Sequence, residues 1–263
     1  MRAQAIVLAI LAMIGPAHAE TVHLYAAGSL KGALTEIAKA YEAASGDTVE
    51  AKFGASGLLK DAIVGGAKAD VFASANMEHP QALHDADKSG PVVRFARNKL
   101  CALVKPGLAV TSQTLLERML SPDIKLATST PKADPSGDYA FEVFRKADSV
   151  KPGAQDELER KALQLTGGRN SPAAPPGKTV YGWHVAEGRA DIFLTYCTNA
   201  LAAQKENSDQ QVVALSANLG VGADYGLTVL KGASAAAQHF AEFIVSRAGQ
   251  QILLSHGFAP GNP

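Results

Sequence analysis

From Val22 onward the apolar positions alternate between two spacings. "VHLYAA" (22–27) is a short continuous apolar run and predicts a strand. Leu30, Ala33, Leu34, Ile37, Ala38 and Tyr41 then recur three or four apart, which predicts a helix closed by Gly46. "TVEAKF" (48–53) predicts a second strand, Ser56–Val64 a second helix ended by Gly65-Gly66, and "ADVFASA" (69–75) a third strand. Strand, helix, strand, helix, strand at these lengths predicts a parallel sheet covered by helices. The alternation continues with "KLCALVKP" (99–106) as a strand, "SQTLLERMLS" (112–121) as a helix, "IKLATSTP" (124–131) as a strand and a helix from about Gly137 to Ala147. The Pro- and Gly-rich stretch 165–179 reads as a loop. Beyond it come a helix at "VYGWHVAEGRA" (180–190) and strands at "DIFLTYC" (191–197), "QQVVALS" (210–216) and "DYGLTVLK" (224–231). One long helix is expected at the C-terminus, 234–257.

The first residues follow another rule. Arg2 precedes an apolar run from Ala5 to Ile14, a Gly-Pro break and Ala17-His18-Ala19. A basic start, a short apolar core and an A-x-A end predict a secretory signal at 1–19, since the run is shorter than the about 20 residues a bilayer span needs. The expected product is exported to the periplasm. Basic and acidic residues number 25 each, which argues against nucleic acid as a partner. The apolar fraction of 47 % over 263 residues suffices for a sizeable core. Export also leaves two readings of Cys101 and Cys197, which both lie in apolar runs: a disulfide, or two buried small hydrophobes.

Two places draw attention to chemistry. Ser29 and Ser56 each follow an apolar strand and open a helix, with Gly28 and Gly57 beside them. Helix N-termini offer unpaired backbone N–H groups and a partial positive charge, so they suit anions, although serine is also a common structural cap. Enzyme signatures do not match. "GSLKG" and "GASGL" lack the GxSxG form, no His pair has ligand spacing, and no phosphate-binding glycine fingerprint is present. Five tyrosines, Tyr25, Tyr139, Tyr181, Tyr196 and Tyr225, include no sequence neighbours of the kind that bind iron(III). Trp183 reads as helix packing.

"AAGSL", then "GASGLL" with its serine 27 positions after the first, then "ADVFASAN", "LATSTPKADPSGDYAFEVF", "VAEGRADIFLTYCTNA" and "FIVSRAGQQILLSHGF" together resemble the periplasmic molybdate-binding proteins of ABC importers. The resemblance covers nearly all of the chain after residue 19. It implies a two-lobed type II periplasmic-binding-protein fold, each lobe an α/β unit with a mostly parallel sheet, with 20–96 and 206–263 in one lobe and 97–205 in the other. It implies no catalysis and no cofactor, a monomer, and a membrane permease as partner. The ligand would be molybdate or tungstate. Carried over, the site would use the hydroxyl and N–H of Ser29 and Ser56, backbone N–H groups at Ser136 and near Lys178, and the hydroxyl of Tyr196. Such dianions accept hydrogen bonds and donate none, so a pocket of donors suits them and leaves the proton of phosphate unpaired. Lys178 and Asp138 stand out from this pattern. Either they are solvated loop charges, or Asp138 takes a proton from the ligand and Lys178 pairs with it, which would select a protonated or organic anion. A ligand-sensing subunit without transport is equally compatible with the residues.

Overall fold

The computed structural model describes residues 19–261; the expected signal at 1–19 lies, apart from Ala19, outside the described residues. The first unit is the alternation read above: β1 (Thr21–Ala27), α1 (Lys31–Ser45), β2 (Thr48–Gly54), α2 (Ser56–Val64), β3 (Val71–Ser74) and a short α3 (Glu78–Asp85). β1 pairs in parallel with both β2 and β3. Leu34, Ile37 and Tyr41 of α1 are buried, and Tyr41 packs tilted on Phe240 with ring centroids 5.1 Å apart. Each such side chain contributes about 1.5–3 kcal/mol by leaving water, which is why the helical spacing of the apolar residues was legible.

The central element is β4 (Val93–Val104), twelve residues long. Its first part, Val93–Lys99, pairs with β9 (Gly222–Val229), while Leu100–Val104 pairs with β7 (Ile192–Tyr196) and Cys101–Val104 with β8 (Gln211–Ala214). The strand therefore belongs to two sheets. On one side the order is β2-β1-β3-β9-β4, with β10 (Ala259–Pro260) on the far edge of β4; on the other it is β8-β4-β7-β5-β6, with β5 (Leu126–Ser129) and β6 (Leu163–Thr166). Helices α4 (Leu115–Leu120), α5 (Pro135–Val150), α6 (Ala154–Lys161), α7 (Val180–Ala186) and α8 (Cys197–Glu206) belong to the second lobe. The chain changes sheet at Lys99/Leu100, and it returns only after Ala214, because β8 is bonded to the second sheet. The sequence-based boundaries at 97 and 205 fall short of these points.

Three further departures have local causes. The expected long C-terminal helix is two, α9 (Ala235–Val245) and α10 (Arg247–Ser255). Ser246 is extended between them and its Oγ accepts the Gly249 N–H. Gly249 lies so close to the Phe243 carbonyl that a Cβ there would sit 2.3 Å away. The strand read through Cys197 stops at Tyr196, and Cys197 starts α8. That helix, α3 and α6 are too short or too polar to declare themselves by periodicity. Cys101 and Cys197 form a disulfide, with Cα atoms 4.8 Å apart, so the bridged reading is the one realised. It ties the start of α8 to β4 just past the crossing.

No helix among the described residues is long and apolar enough to cross a membrane.

Candidate functional site: three serine hydroxyls around a tyrosine

Tyr196 ends β7, is 1 % exposed and carries its ring across to the first lobe. Its hydroxyl donates to the Ala75 carbonyl at 3.2 Å. The Ala75 N–H in turn donates to Ser56 Oγ at 3.1 Å. On another side Tyr196 packs on Tyr225, centroids 5.5 Å apart, whose hydroxyl shares a 3.0 Å hydrogen bond with Ser29 Oγ. On a third side it meets Tyr139 edge-on at 6.2 Å. Tyr139 lies one turn along α5 from Ser136. Thus Ser29, Ser56, Ser136 and Tyr196, four of the residues singled out from sequence, come together where the lobes meet.

Neither serine of the first lobe caps its helix. The N-cap residues of α1 and α2 are Leu30 and Ala55, and neither uses a side chain. The proton inventory explains what the hydroxyls do instead. Asn98 Nδ2 donates to the Tyr225 hydroxyl at 3.3 Å and to Thr198 Oγ1 at 2.8 Å. The Ser29 and Tyr225 hydroxyls have two protons and share one hydrogen bond, in which either can be the donor, so one proton of the pair is left over. Ser56 Oγ likewise accepts from Ala75 and keeps its proton. Ser136 is fully buried, and its Oγ has no partner among the described residues; the Tyr181 hydroxyl faces it, Ser129 and Thr195 without closing a hydrogen bond to it. The site therefore presents three donor protons that no acceptor among the described residues uses. Tyr225 and Asn98 set this order, and nothing in their sequence neighbourhoods announced it, because Tyr225 is 29 positions from Tyr196 and on another strand.

The backbone donors expected from sequence are largely engaged. Gly57 N–H donates across the lobes to the Ala133 carbonyl at 2.9 Å. Ser136 N–H donates to Oδ1 of Asp134, the N-cap of α5, at 3.0 Å, so Ser136 contributes its hydroxyl and not its N–H. Lys178 does not join the group: its side chain is exposed and its N–H is bonded to the Pro175 carbonyl at 3.1 Å. The helix that follows it is capped by Thr179, whose Oγ1 accepts from Gly182.

Electrostatics follow from burial. Desolvation raises the pKa of Tyr196, Tyr225 and Tyr181, so all three are neutral donors over any physiological pH. Desolvation also lifts Asp134 to about 6, against the lowering effect of the Ser136 N–H and the Ser129 hydroxyl. Asp138 is raised too, chiefly by burial, with the Lys132 N–H at 2.7 Å opposing. Among the described residues no group of three His, Cys, Asp or Glu side chains could hold a metal ion. What the arrangement can do is hold an acceptor-rich group between two lobes that share one strand.

Residues 22–259 match the model of the bacterial extracellular solute-binding proteins. The chain belongs to this family. An uncharacterized Pasteurella multocida protein is 32 % identical over 242 residues, covering 92 % of this chain and 99 % of its own length. The molybdate-binding protein ModA of Mycobacterium tuberculosis is 27 % identical over 245 residues, covering 92 % and 85 %. Among solved structures, the Azotobacter vinelandii periplasmic molybdate-binding protein superposes with a TM-score of 0.73 at 21 % identity, over 90 % of this chain and 98 % of that one. The two-lobed α/β fold is thus that of the periplasmic binding proteins, and members of the family bind solutes.

Proposed function

We propose that this solute-binding protein captures a tetrahedral oxyanion group between its lobes, with molybdate or tungstate as the first candidates, and delivers it to the permease of an ABC importer. The observation that carries the reading is the donor inventory: the Ser29–Tyr225 pair, Ser56 and Ser136 each retain a proton beside Tyr196, and a fully ionised oxyanion is a pure acceptor. A charge-assisted hydrogen bond of this kind contributes about 1.5–3 kcal/mol. Three of them, with the Tyr196 and Gly57 groups exchanging their present partners for the ligand, reach useful affinity without a fixed positive charge. Closure follows the usual logic of two-lobed binders, in which the ligand makes contacts to both halves only when they meet. The ModA relative and the fold match to a molybdate-binding protein support the choice of ligand.

The test is calorimetric titration of the chain lacking residues 1–19 with molybdate, tungstate, sulfate and phosphate. Submicromolar binding of the first two is expected, with Ser29→Ala and Ser56→Ala each weakening it by about tenfold to a hundredfold. Unchanged affinity in both variants would remove the site.

A further inference from the structure

A cleft of about 430 Å³ opens next to the three serines, lined by Asn76, Glu78, Pro135, Asp138, Tyr139 and Asp224 among others. It adjoins the site directly: Asn76 follows Ala75, Pro135 precedes Ser136, and Tyr139 packs on Tyr196. Its volume falls within the about 300–1,000 Å³ of pockets that hold organic ligands, far more than one tetrahedral ion fills.

The polarity of the cleft changes along its length. Asn76, only 5 % exposed, stands at the inner end. Its Oδ1 accepts from Ser74 Oγ at 2.8 Å and from the His79 N–H at 3.2 Å, which fixes the amide orientation. Nδ2 is then a donor with no partner among the described residues. The outer end offers acceptors. Glu78 is exposed, Asp138 has one oxygen on the Lys132 N–H, and Asp224 is 3.2 Å from Arg94. Glu78, Asp138 and Asp224 line the same cleft around Tyr139, whose hydroxyl pKa is raised by burial first and then by these carboxylates. Arg94 is already paired. His79 is held below the ordinary imidazole range by its burial and by Lys60, against the pull of Asp138, and Lys60 is 2.7 Å from Asp61. Lys132 also acts on Asp138, but Glu78, Asp138 and Asp224 outnumber Arg94 and Lys132, so the mouth is net acidic while the floor consists of donors.

A bare dianion uses only the floor of such a gradient and leaves the carboxylates of the mouth without a partner. Donors within and acceptors without match a molecule that is negative at one end and positive at the other. We propose that the oxyanion is the head of a small zwitterion, a phosphonate or phosphate ester with an ammonium tail. The head takes the serine protons and Asn76 Nδ2. The ammonium lies among Glu78, Asp138 and Asp224. This rests on the oxyanion reading above and names the larger ligand of the same site.

The probes are 2-aminoethylphosphonate, propylphosphonate of nearly the same shape without the charge, and molybdate, titrated at pH 7.5 into the chain lacking residues 1–19. Binding of the aminophosphonate tenfold or more tighter than propylphosphonate is expected, with Glu78→Gln and Asp224→Asn each shrinking that ratio severalfold while leaving propylphosphonate affinity unchanged or improved. Propylphosphonate binding as well as or better than the amine overturns the proposal. Molybdate binding with both phosphonates silent overturns it and leaves the oxyanion reading standing. Silence of all three overturns both.

Discussion

The chain starts two helices with the same dipeptide, Ser56-Gly57 on α2 and Ser136-Gly137 on α5, one in each lobe, and uses them differently. On α2 the N-cap is Ala55, the serine hydroxyl accepts from Ala75, and the glycine N–H reaches over to the other lobe's Ala133. On α5 the N-cap is Asp134, whose carboxylate takes the serine N–H and whose carbonyl takes the glycine N–H at 2.8 Å. The first turn of α2 thus spends its N–H across the cleft and stays electrically positive. That of α5 is self-contained and carries an acid. Among the described residues it leaves the Ser136 hydroxyl as a spare donor. Both glycines are required by close approach, but to different things. A Cβ on Gly57 would lie 2.6 Å from the Lys132 carbonyl in the opposite lobe, and one on Gly137 would lie 2.6 Å from the Ser129 carbonyl in its own.

The largest effect tests whether the second lobe is the rigid partner. Its disulfide closes a loop with a separation of 96 residues, and no cysteine lies in the first lobe's strands. Replacing Cys101 and Cys197 together by Ala should lower unfolding free energy by about 2–4 kcal/mol in urea melts and loosen the start of α8 behind Tyr196. An unchanged midpoint would deny the asymmetry. Next, Gly137→Ala should cost about 1–3 kcal/mol of stability, because its clash is internal. Gly57→Ala should leave the urea midpoint nearly untouched and weaken ligand binding instead, since opening the lobes relieves it. Equal destabilisation by the two would erase the distinction.

A finer test uses the serines. Ser56→Ala leaves the buried Ala75 N–H without its acceptor and should cost about 1–3 kcal/mol of stability as well as affinity. Ser136→Ala removes a hydroxyl that is already unpartnered, so affinity should fall with stability unchanged or slightly raised. The smallest effect concerns the acidic cap. Asp134 binds its proton more tightly in the folded chain, so the folded state holds more protons between the ordinary carboxylate range and about pH 6. Stability should therefore fall as pH rises through that window, and level off above it. A bound anion favours the protonated acid, so affinity should also fall with rising pH, by at most about tenfold per unit for one linked proton. Asp134→Asn keeps a capping side chain and should flatten both profiles; profiles that persist in this variant would point to Asp138.

How much of this was legible depended on distance along the chain. The helix of α1, the strands of both lobes other than β6 and β10, and the glycine stops follow from periodicity and turn chemistry, which act over a few residues. The short helices α3, α6 and α8 were missed because their stability comes from packing, not from a long apolar face. Ser29 and Ser56 stood out by their place after strands, and the alternative reading of them as structural caps does not hold. The turn they begin is capped elsewhere, and their oxygens are claimed by Ala75 and Tyr225. Lys178 marked the approach to α7 but stays in solvent.

The sequence by itself determined the alternation of strands and helices, the family, and the presence of neutral donors at strand ends, because these depend on local spacing and on residue type. Only the tertiary structure decided which donors remain free. That outcome depends on Tyr225 and Asn98 arriving from strands far apart in the chain, on Asp134 intercepting the Ser136 N–H, and on Ala133 meeting Gly57 across the lobes. A hydroxyl has one proton, and where it goes is set by the acceptor nearest in space.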